Sequence, residues 1–178
     1  MDKTVPTREF FEHRSLIWML RHFKFVGENG KLYQESEDYA GFYPDIEKIR
    51  YHTHDLHELD SIEVESLSRY YQGGYFTDSY GVYARDWYQL PPDSSNPLIY
   101  GGLSWQDTYF ARLLYSQRKP LIAEFNFIAT PTGYYRRREI EKSLHINWSG
   151  WTGRFFDSLD SLNTDLPRWI IARFQDNT

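Results

Sequence analysis

The sequence predicts an α/β fold with a mostly parallel sheet and helices on both faces. A nearly continuous apolar run over residues 121–129 is typical of a strand that helices cover on both sides. One helical pattern precedes this run and another follows it, with short joints between them, which is typical of α/β layers. An aromatic content of 19% leaves an aromatic-rich antiparallel β fold or an α+β fold as the alternative.

The first hundred residues contain one long helix signal, two short helical patterns and two strand signals. Residues 8–23 have apolar side chains at a period close to 3.6, and Thr7 is placed to cap the helix that this period predicts. Residues 34–60 are polar and irregular, with short helical patterns near 45–50 and 55–60. Short strands are expected at 75–77 and 98–100, each beside a pair of glycines.

The central helix has both a start and a stop signal. Ser104 lies three positions before Asp107, which is the spacing of a capping box with Asp in place of Glu. Pro120 ends this helix, and a further helix is expected over 132–145, with Pro131 near its start. One face of the central helix is formed by Tyr109, Phe110, Leu113 and Leu114.

The length of 178 residues predicts a single α/β domain over residues 1–178. An apolar element at 169–174 lies four residues before the end, which we interpret as a core element of a chain trimmed at its C-terminus. No apolar run reaches the roughly 18 residues of a membrane span, and no signal-peptide pattern opens the sequence. The cytoplasm is therefore the default compartment, and nothing in the sequence fixes the oligomeric state.

The absence of cysteine excludes several kinds of chemistry. Disulfides, cysteine zinc sites, iron–sulfur clusters and thiol nucleophiles are all ruled out. A net charge of −5 argues against a nucleic-acid partner, because phosphate neutralisation needs clustered Lys and Arg. The one basic run, 136–138, is followed by Glu139 and Glu141, which is typical of a solvated helix face. No motif indicates a cofactor, and we expect none.

Two carboxylates, Asp78 and Glu124, are the candidate catalytic residues. Glu124 and Asn126 alternate on one face of the predicted strand, where an unpaired carboxylate is costly to bury. Asp78 follows the preceding strand, and ligands of open α/β sheets bind beyond the carboxyl ends of strands. The alternatives are a turn-forming role for Asp78 and a structural hydrogen bond of Glu124 with a nearby loop or Arg154.

Further polar and aromatic residues are expected around the same crevice. Thr130 and Thr132 stand at the start of the following helix, whose free N–H groups suit an anion. A Gly/Trp loop over 146–158 offers Trp151 and Arg154 either as a clamp on an anionic or ring-shaped ligand or as packing over the sheet edge. The candidate ligand-binding residues are Tyr80, Asn126, Thr130, Thr132, Trp151 and Arg154.

Two weaker motifs lie outside that set. His52, His54 and His57 suit zinc or a similar divalent metal, but no single regular element presents all three. We therefore interpret them as part of a solvated loop and predict no metal site. Ser79 half-matches the Gly-x-Ser-x-Gly nucleophile elbow, but Thr77 replaces the first glycine, so a nucleophilic role is not favoured.

Several sequence blocks carry a resemblance to known proteins. They are Asp38–Pro44 (DYAGFYP), Asp78–Tyr83 (DSYGVY), Tyr100–Leu103 (YGGL), Ala123–Asn126 (AEFN), Pro131–Thr132 and Gly150–Phe156 (GWTGRFF). Through these blocks, over about residues 16–175, the chain resembles uncharacterised bacterial α/β proteins whose layout is similar to the flavodoxin-like domain of class I glutamine amidotransferases. The resemblance implies a flavodoxin-like sheet. Amidotransferases need a cysteine at the strand-to-helix elbow, so it also implies that glutaminase chemistry is absent.

Three functions follow from these observations. The first is an amidotransferase-like α/β module that binds a small polar or sugar-like ligand at the strand ends without thiol chemistry. The second is a carboxylate-based glycoside hydrolase that uses Asp78 and Glu124. The third is a protein-interaction or immunity-type module with aromatic residues at its interface.

Overall fold

The computed structural model describes residues 1–5, 7, 9–124, 126–149, 156–158, 160 and 162. The chain divides into two compact units, Met1–Asn147 and Trp148–Thr178, and every helix and strand named below belongs to the first. Residues 150–155 of the expected Gly/Trp loop and all of the expected apolar element at 169–174 lie outside the described residues. The prediction of a single domain therefore stays a prediction.

Five helices and six short strands make up the first unit in the described part of the chain. The helices are α1 (Phe11–His22), α2 (Ser61–Tyr70), α3 (Ala84–Tyr88), α4 (Trp105–Ser116) and α5 (Tyr134–Leu144). The strands are β1 (Gly41–Asp45), β2 (Arg50–His54), β3 (Gly74–Phe76), β4 (Val82–Tyr83), β5 (Leu98–Tyr100) and β6 (Leu121–Ala123). Two single-turn 3-10 helices flank β2, at Ile46–Lys48 and Leu56–Glu58.

The helices predicted from periodicity, α1, α4 and α5, are confirmed. Helix α4 begins at the predicted capping box, where the Asp107 N–H donates to Ser104 Oγ at 3.2 Å and the Ser104 N–H donates to Asp107 Oδ2 at 2.7 Å. The predicted cap of α1 by Thr7 is wrong. That helix begins after Phe10, whose φ of 52° is left-handed and whose side chain makes no capping hydrogen bond.

The predicted mostly parallel, flavodoxin-like sheet is wrong, because the six strands form three separate two-stranded sheets. The pairs β1–β2 and β4–β5 are antiparallel. Strands β3 and β6 are parallel, with Gly74 opposite Leu121 and Phe76 opposite Ala123. The architecture is therefore a mixture of helices and small sheets rather than one continuous sheet between helical layers.

The apolar run over 121–129 does not form one long buried strand. Strand β6 has three residues, and the chain then turns, with the Phe127 N–H donating to the Glu124 carbonyl at 3.1 Å. Ile122 is 57% exposed, so helices do not cover both faces of β6. Leu121 and Phe127 still reach the same core, one from the strand and one from the turn. An apolar run can serve a short strand and a buried turn together, and periodicity does not separate the two cases.

The first five residues connect β1 to the loop after β3. Asp2 forms parallel bridges with Gly41 and Asp78, and the Lys3 N–H donates to the Asp78 carbonyl at 3.0 Å. Gly41 permits this close approach, because a Cβ at that position would lie 1.6 Å from the Asp2 carbonyl oxygen. The sequence does not predict this segment as a strand, since it has no alternation of apolar and polar residues.

The main hydrophobic core lies where α2, α4 and α5 pack beside β3. Its central buried residues are Val64, Phe76, Phe110, Leu114 and Ile140. A second, smaller cluster joins β1, β4 and α3 through Phe42, Val82 and Trp87. The larger core therefore supplies a rigid base for the surface formed by the end of α2 and the turns beside it.

Candidate functional site

The structure brings two of the predicted site residues together. Asn126 Nδ2 donates to Asp78 Oδ2 at 2.9 Å, and the Tyr80 backbone N–H donates to Asp78 Oδ1 at 2.6 Å. Both carboxylate oxygens of Asp78 therefore stabilise the turn that follows β3, which is the alternative role expected of a turn-forming Asp. A catalytic role for Asp78, and ligand binding by Tyr80 and Asn126, stay predictions.

Ser79 and Thr132 are buried behind this turn. Ser79 Oγ lies 2.7 Å from the Asn126 carbonyl oxygen and 2.9 Å from that of Phe127. The Leu103 N–H donates to Thr132 Oγ1 at 3.1 Å. Because both hydroxyls hydrogen-bond to the backbone, they tie separate loops together, and each has a structural role whatever else it does.

The sequence predicts that Glu124 is buried in a strand. In the structure this residue is exposed and lies just beyond the end of β6. Its carboxylate accepts a hydrogen bond from the hydroxyl of Tyr75. Burial and this hydrogen bond raise the pKa of Tyr75 to about 12. Thr130 is also exposed, and the other two candidates, Trp151 and Arg154, lie outside the described residues.

A different region of the first unit contains two adjoining cavities, with volumes of about 710 and 610 Å³. Both are lined by Tyr33, Glu37, Asp38 and Tyr71, so they meet at these four residues. We call the two cavities together the tyrosine cleft. Further aromatic and acidic residues in its lining include Glu28, Tyr39, Asp55, Glu58, Tyr70 and Phe110.

Helix α2 ends at the tyrosine cleft and places two tyrosines in its wall. The ring of Tyr71 meets Tyr70 edge-on at a centroid distance of 5.0 Å and Phe110 of α4 edge-on at 6.5 Å. The hydroxyl of Tyr70 donates to Glu28 Oε2 at 2.8 Å. Burial, with a contribution from the charge of nearby Asp38, raises the pKa of Tyr71. The packing against Phe110 anchors this wall to the main core.

A hydrogen-bonded turn positions the acidic side of the cleft. The Gln34 backbone N–H donates to Asp38 Oδ2 at 2.6 Å, and Gln34 Nε2 donates to Glu37 Oε2 at 3.2 Å. The Tyr43 hydroxyl, from β1, donates to the Glu37 carbonyl at 3.0 Å. One glutamine therefore aligns two carboxylates, and the second oxygen of each forms no hydrogen bond with a described residue.

The inner end of the cleft reaches a buried ion-pair network. Lys3 Nζ lies 3.2 Å from Asp55 Oδ2 and 2.6 Å from Asp107 Oδ2, with all three side chains buried. The Tyr100 hydroxyl and the His57 N–H also donate to Asp55. Burial opposes ionisation, but Lys3 and these hydrogen bonds outweigh it and lower the pKa of Asp55 to about 2. Asp55 is therefore a fixed anion at neutral pH rather than a proton donor.

The three clustered histidines do not lie in the solvated loop that the sequence predicts. His52 and His54 belong to β2, and His57 belongs to the following 3-10 helix. The His52 ring stacks on Tyr43 at 4.9 Å, and His57 Nδ1 contacts Asp55. Within the described ranges, no three His, Asp or Glu side chains converge in a way that would hold a metal ion.

Comparison of the chain with protein-family models, with curated proteins and with solved structures finds no match. The resemblance to amidotransferases therefore stays a prediction. Among the residues that the structure describes, no helix has the length and apolar character needed to cross a bilayer. The function is therefore inferred from the chemistry of the residues that line the tyrosine cleft.

Proposed function

We propose that this chain binds a small polar ligand without thiol chemistry, and that the tyrosine cleft is the binding site. The observation that carries this proposal is the meeting of two cavities at Tyr33, Glu37, Asp38 and Tyr71. Small-molecule sites are concave, of roughly 300–1,000 Å³, and combine aromatic walls with a few fixed polar groups. Each of the two cavities, of about 710 and 610 Å³, lies within that range.

Packing and hydrogen bonds hold several side chains of the lining in place, and this supports binding in addition to the shape of the cleft. Tyr71 packs against the core residue Phe110, and Gln34 fixes the two carboxylates on the acidic side. A site whose side chains are already held loses less conformational entropy when a ligand enters. The cleft therefore combines volume, ring surface and preorganised acceptors.

A carboxylate-based glycoside hydrolase is the less favoured alternative. That reaction needs two carboxyl groups that flank one bond, and one of them must carry a proton. No contact between described residues joins Asp78 to Glu124, and each already accepts a hydrogen bond from a neighbouring side chain. In the cleft, the low pKa of Asp55 removes it as a proton donor.

A ligand-observed NMR screen of monosaccharides, amino acids and small amines tests the proposal. We expect Tyr33→Ala to weaken the binding of a hit by about tenfold or more, because it removes a ring shared by both cavities. Tyr135→Ala is the matched control, since Tyr135 is 84% exposed and lies outside the cleft lining. The proposal fails if no compound binds with a Kd of about 1 mM or better, or if Tyr33→Ala leaves every hit unchanged.

A further inference from the structure

We infer that the tyrosine cleft takes an organic cation with a quaternary ammonium head, rather than a neutral sugar or an anion. This inference rests on the proposed function, because it assigns a ligand class to the same site. It depends on the charges of the lining and on its tyrosine rings.

The charge balance of the outer cavity is acidic. Glu28, Glu37 and Asp38 line the outer cavity, and the basic group lining it is Lys31. Within the described part of the chain, no Lys, Arg or His nitrogen forms an ion pair with any of these three carboxylates. Their field therefore attracts a cation and repels an anion.

The Asp55 carboxylate of the inner cavity is less open to a ligand. It is buried, and it lies 3.2 Å from Lys3 Nζ, an ammonium group that it shares with Asp107. Glu58, which also lines the inner cavity, lies 3.7 Å from His57 Nε2. The attraction for a cation is therefore centred on the shared residues Glu37 and Asp38.

The shared residues also supply ring surface. Tyr33 and Tyr71 line both cavities, and a ring face attracts a cation within about 6 Å of its centroid. Edge-on contacts with Tyr70 and Phe110 hold the Tyr71 ring in place. Rings and carboxylates that line the same cavity form a combination that suits a quaternary ammonium group.

Two tyrosine hydroxyls in the lining already donate to carboxylates. Tyr70 donates its proton to Glu28, and Tyr75, in the inner cavity, donates to Glu124. A sugar needs both donors and acceptors in its site, whereas a quaternary ammonium group has no N–H and requires none. In the shared part, the second oxygens of Glu37 and Asp38 and the hydroxyls of Tyr33 and Tyr71 form no hydrogen bond with a described residue.

Isothermal titration of the full chain with choline and with its neutral isostere 3,3-dimethylbutan-1-ol tests this inference. The two probes have the same shape and differ in charge. We expect choline to bind about tenfold more tightly, with an affinity that falls as salt is added. Equal affinity for the two probes would overturn the assignment of a cation.

A matched pair of variants locates the charge effect. Asp38→Asn keeps the oxygen that accepts from Gln34 and removes the negative charge, so we expect choline affinity to fall about fivefold while the isostere is unaffected. Asp93→Asn is the control, because Asp93 is exposed and lies outside the cleft lining. Circular-dichroism melting checks that both variants are folded. An equal effect of the two variants would overturn the role of Asp38.

The outcome for sugars separates this inference from the proposed function. If a monosaccharide binds, is lost in Tyr33→Ala and is indifferent to Asp38→Asn, the binding function stands and the cation assignment is wrong. If neither the binding of choline nor the binding of any screened compound depends on Tyr33, the proposed function and the cation assignment are both wrong. If choline binds and depends on both residues, both are supported.

Discussion

Lys3 Nζ and Asp107 Oδ2 lie 2.6 Å apart in the buried interior, although 104 positions separate the two residues in the sequence. Asp107 also accepts from the Ser104 N–H in the capping box of α4, and Lys3 contacts Asp55 as well. One ammonium group therefore joins the N-terminal segment, the start of α4 and the residue before the Leu56–Glu58 turn. The inner end of the tyrosine cleft depends on this junction.

Removal of the Lys3 charge should be strongly destabilising. Lys3→Met leaves Asp55 and Asp107 buried without their cation, and breaking a buried ion pair costs about 3–5 kcal/mol. Urea unfolding measures the change. Lys48→Met is the control, because Lys48 is 69% exposed in its pair with Asp45 and should change stability by less than about 1 kcal/mol. Equal effects of the two substitutions would contradict the buried network.

Acid should remove the contribution of Asp55 to stability. Its pKa is about 2 in the folded chain against 3.8 as the ordinary value, so the folded state is favoured while the carboxylate is ionised. That contribution is present above about pH 4 and is lost as the pH falls toward 2. The urea midpoints of the wild type and Asp55→Asn should therefore converge over this interval. A difference that stays constant between pH 4 and pH 2 would show that Asp55 titrates normally.

The close approach of the N-terminal segment to β1 can be tested at a glycine. In Gly41→Ala the new Cβ would lie 1.6 Å from the Asp2 carbonyl oxygen, so the segment must move and stability should fall by about 2 kcal/mol or more. Gly133→Ala is the matched control, since apart from its chain neighbours no atom of a described residue lies within 4 Å of the position of its Cβ. Thermal unfolding compares the two. If Gly41→Ala melts like Gly133→Ala, the segment does not pair with β1.

The capping box of α4 should contribute measurably to stability. Ser104→Ala removes the hydroxyl that accepts from the Asp107 N–H, and loss of such a cap costs about 1 kcal/mol. Ser116→Ala, at the exposed end of the same helix, should cost less because its hydroxyl donates to the Leu113 carbonyl and caps no backbone N–H of a described residue. Urea unfolding of both variants provides the comparison. A larger effect at Ser116 would show that the cap is not formed in solution.

Local signals in the sequence predicted local structure well. Ser104 and Asp107 are three positions apart, and their contact is decided by the helix that they begin. The strand expected at 98–100 was also predicted from its own residues and neighbours, and the structure contains it as β5. Partners in the structure that are far apart in sequence, such as Lys3 and Asp107, carry no periodic signal, so neither the buried network nor the pairing of the N-terminal segment could be predicted.

The tyrosine cleft could not be predicted from the sequence for a related reason. The strand-end hypothesis needed 121–129 to be a long covered strand, and Glu124 instead lies beyond a strand of three residues. The tyrosine cleft draws its residues from three separated segments, around Tyr33, Glu37 and Tyr71. The sequence is rich in tyrosine and in acidic residues, but its composition does not show where they come together in the fold.

Binding in the tyrosine cleft is tested most directly by mapping backbone amide shifts while the ¹⁵N-labelled full chain is titrated with a binding compound. We predict saturable shifts at the amides of Gly27, Gln34 and Gln72, which line the tyrosine cleft. The amides of Tyr80 and Asn126, at the strand-end site, should stay in place. Shifts at Tyr80 and Asn126 without any change at Gln72 would contradict the account and return the site to the turn held by Asp78.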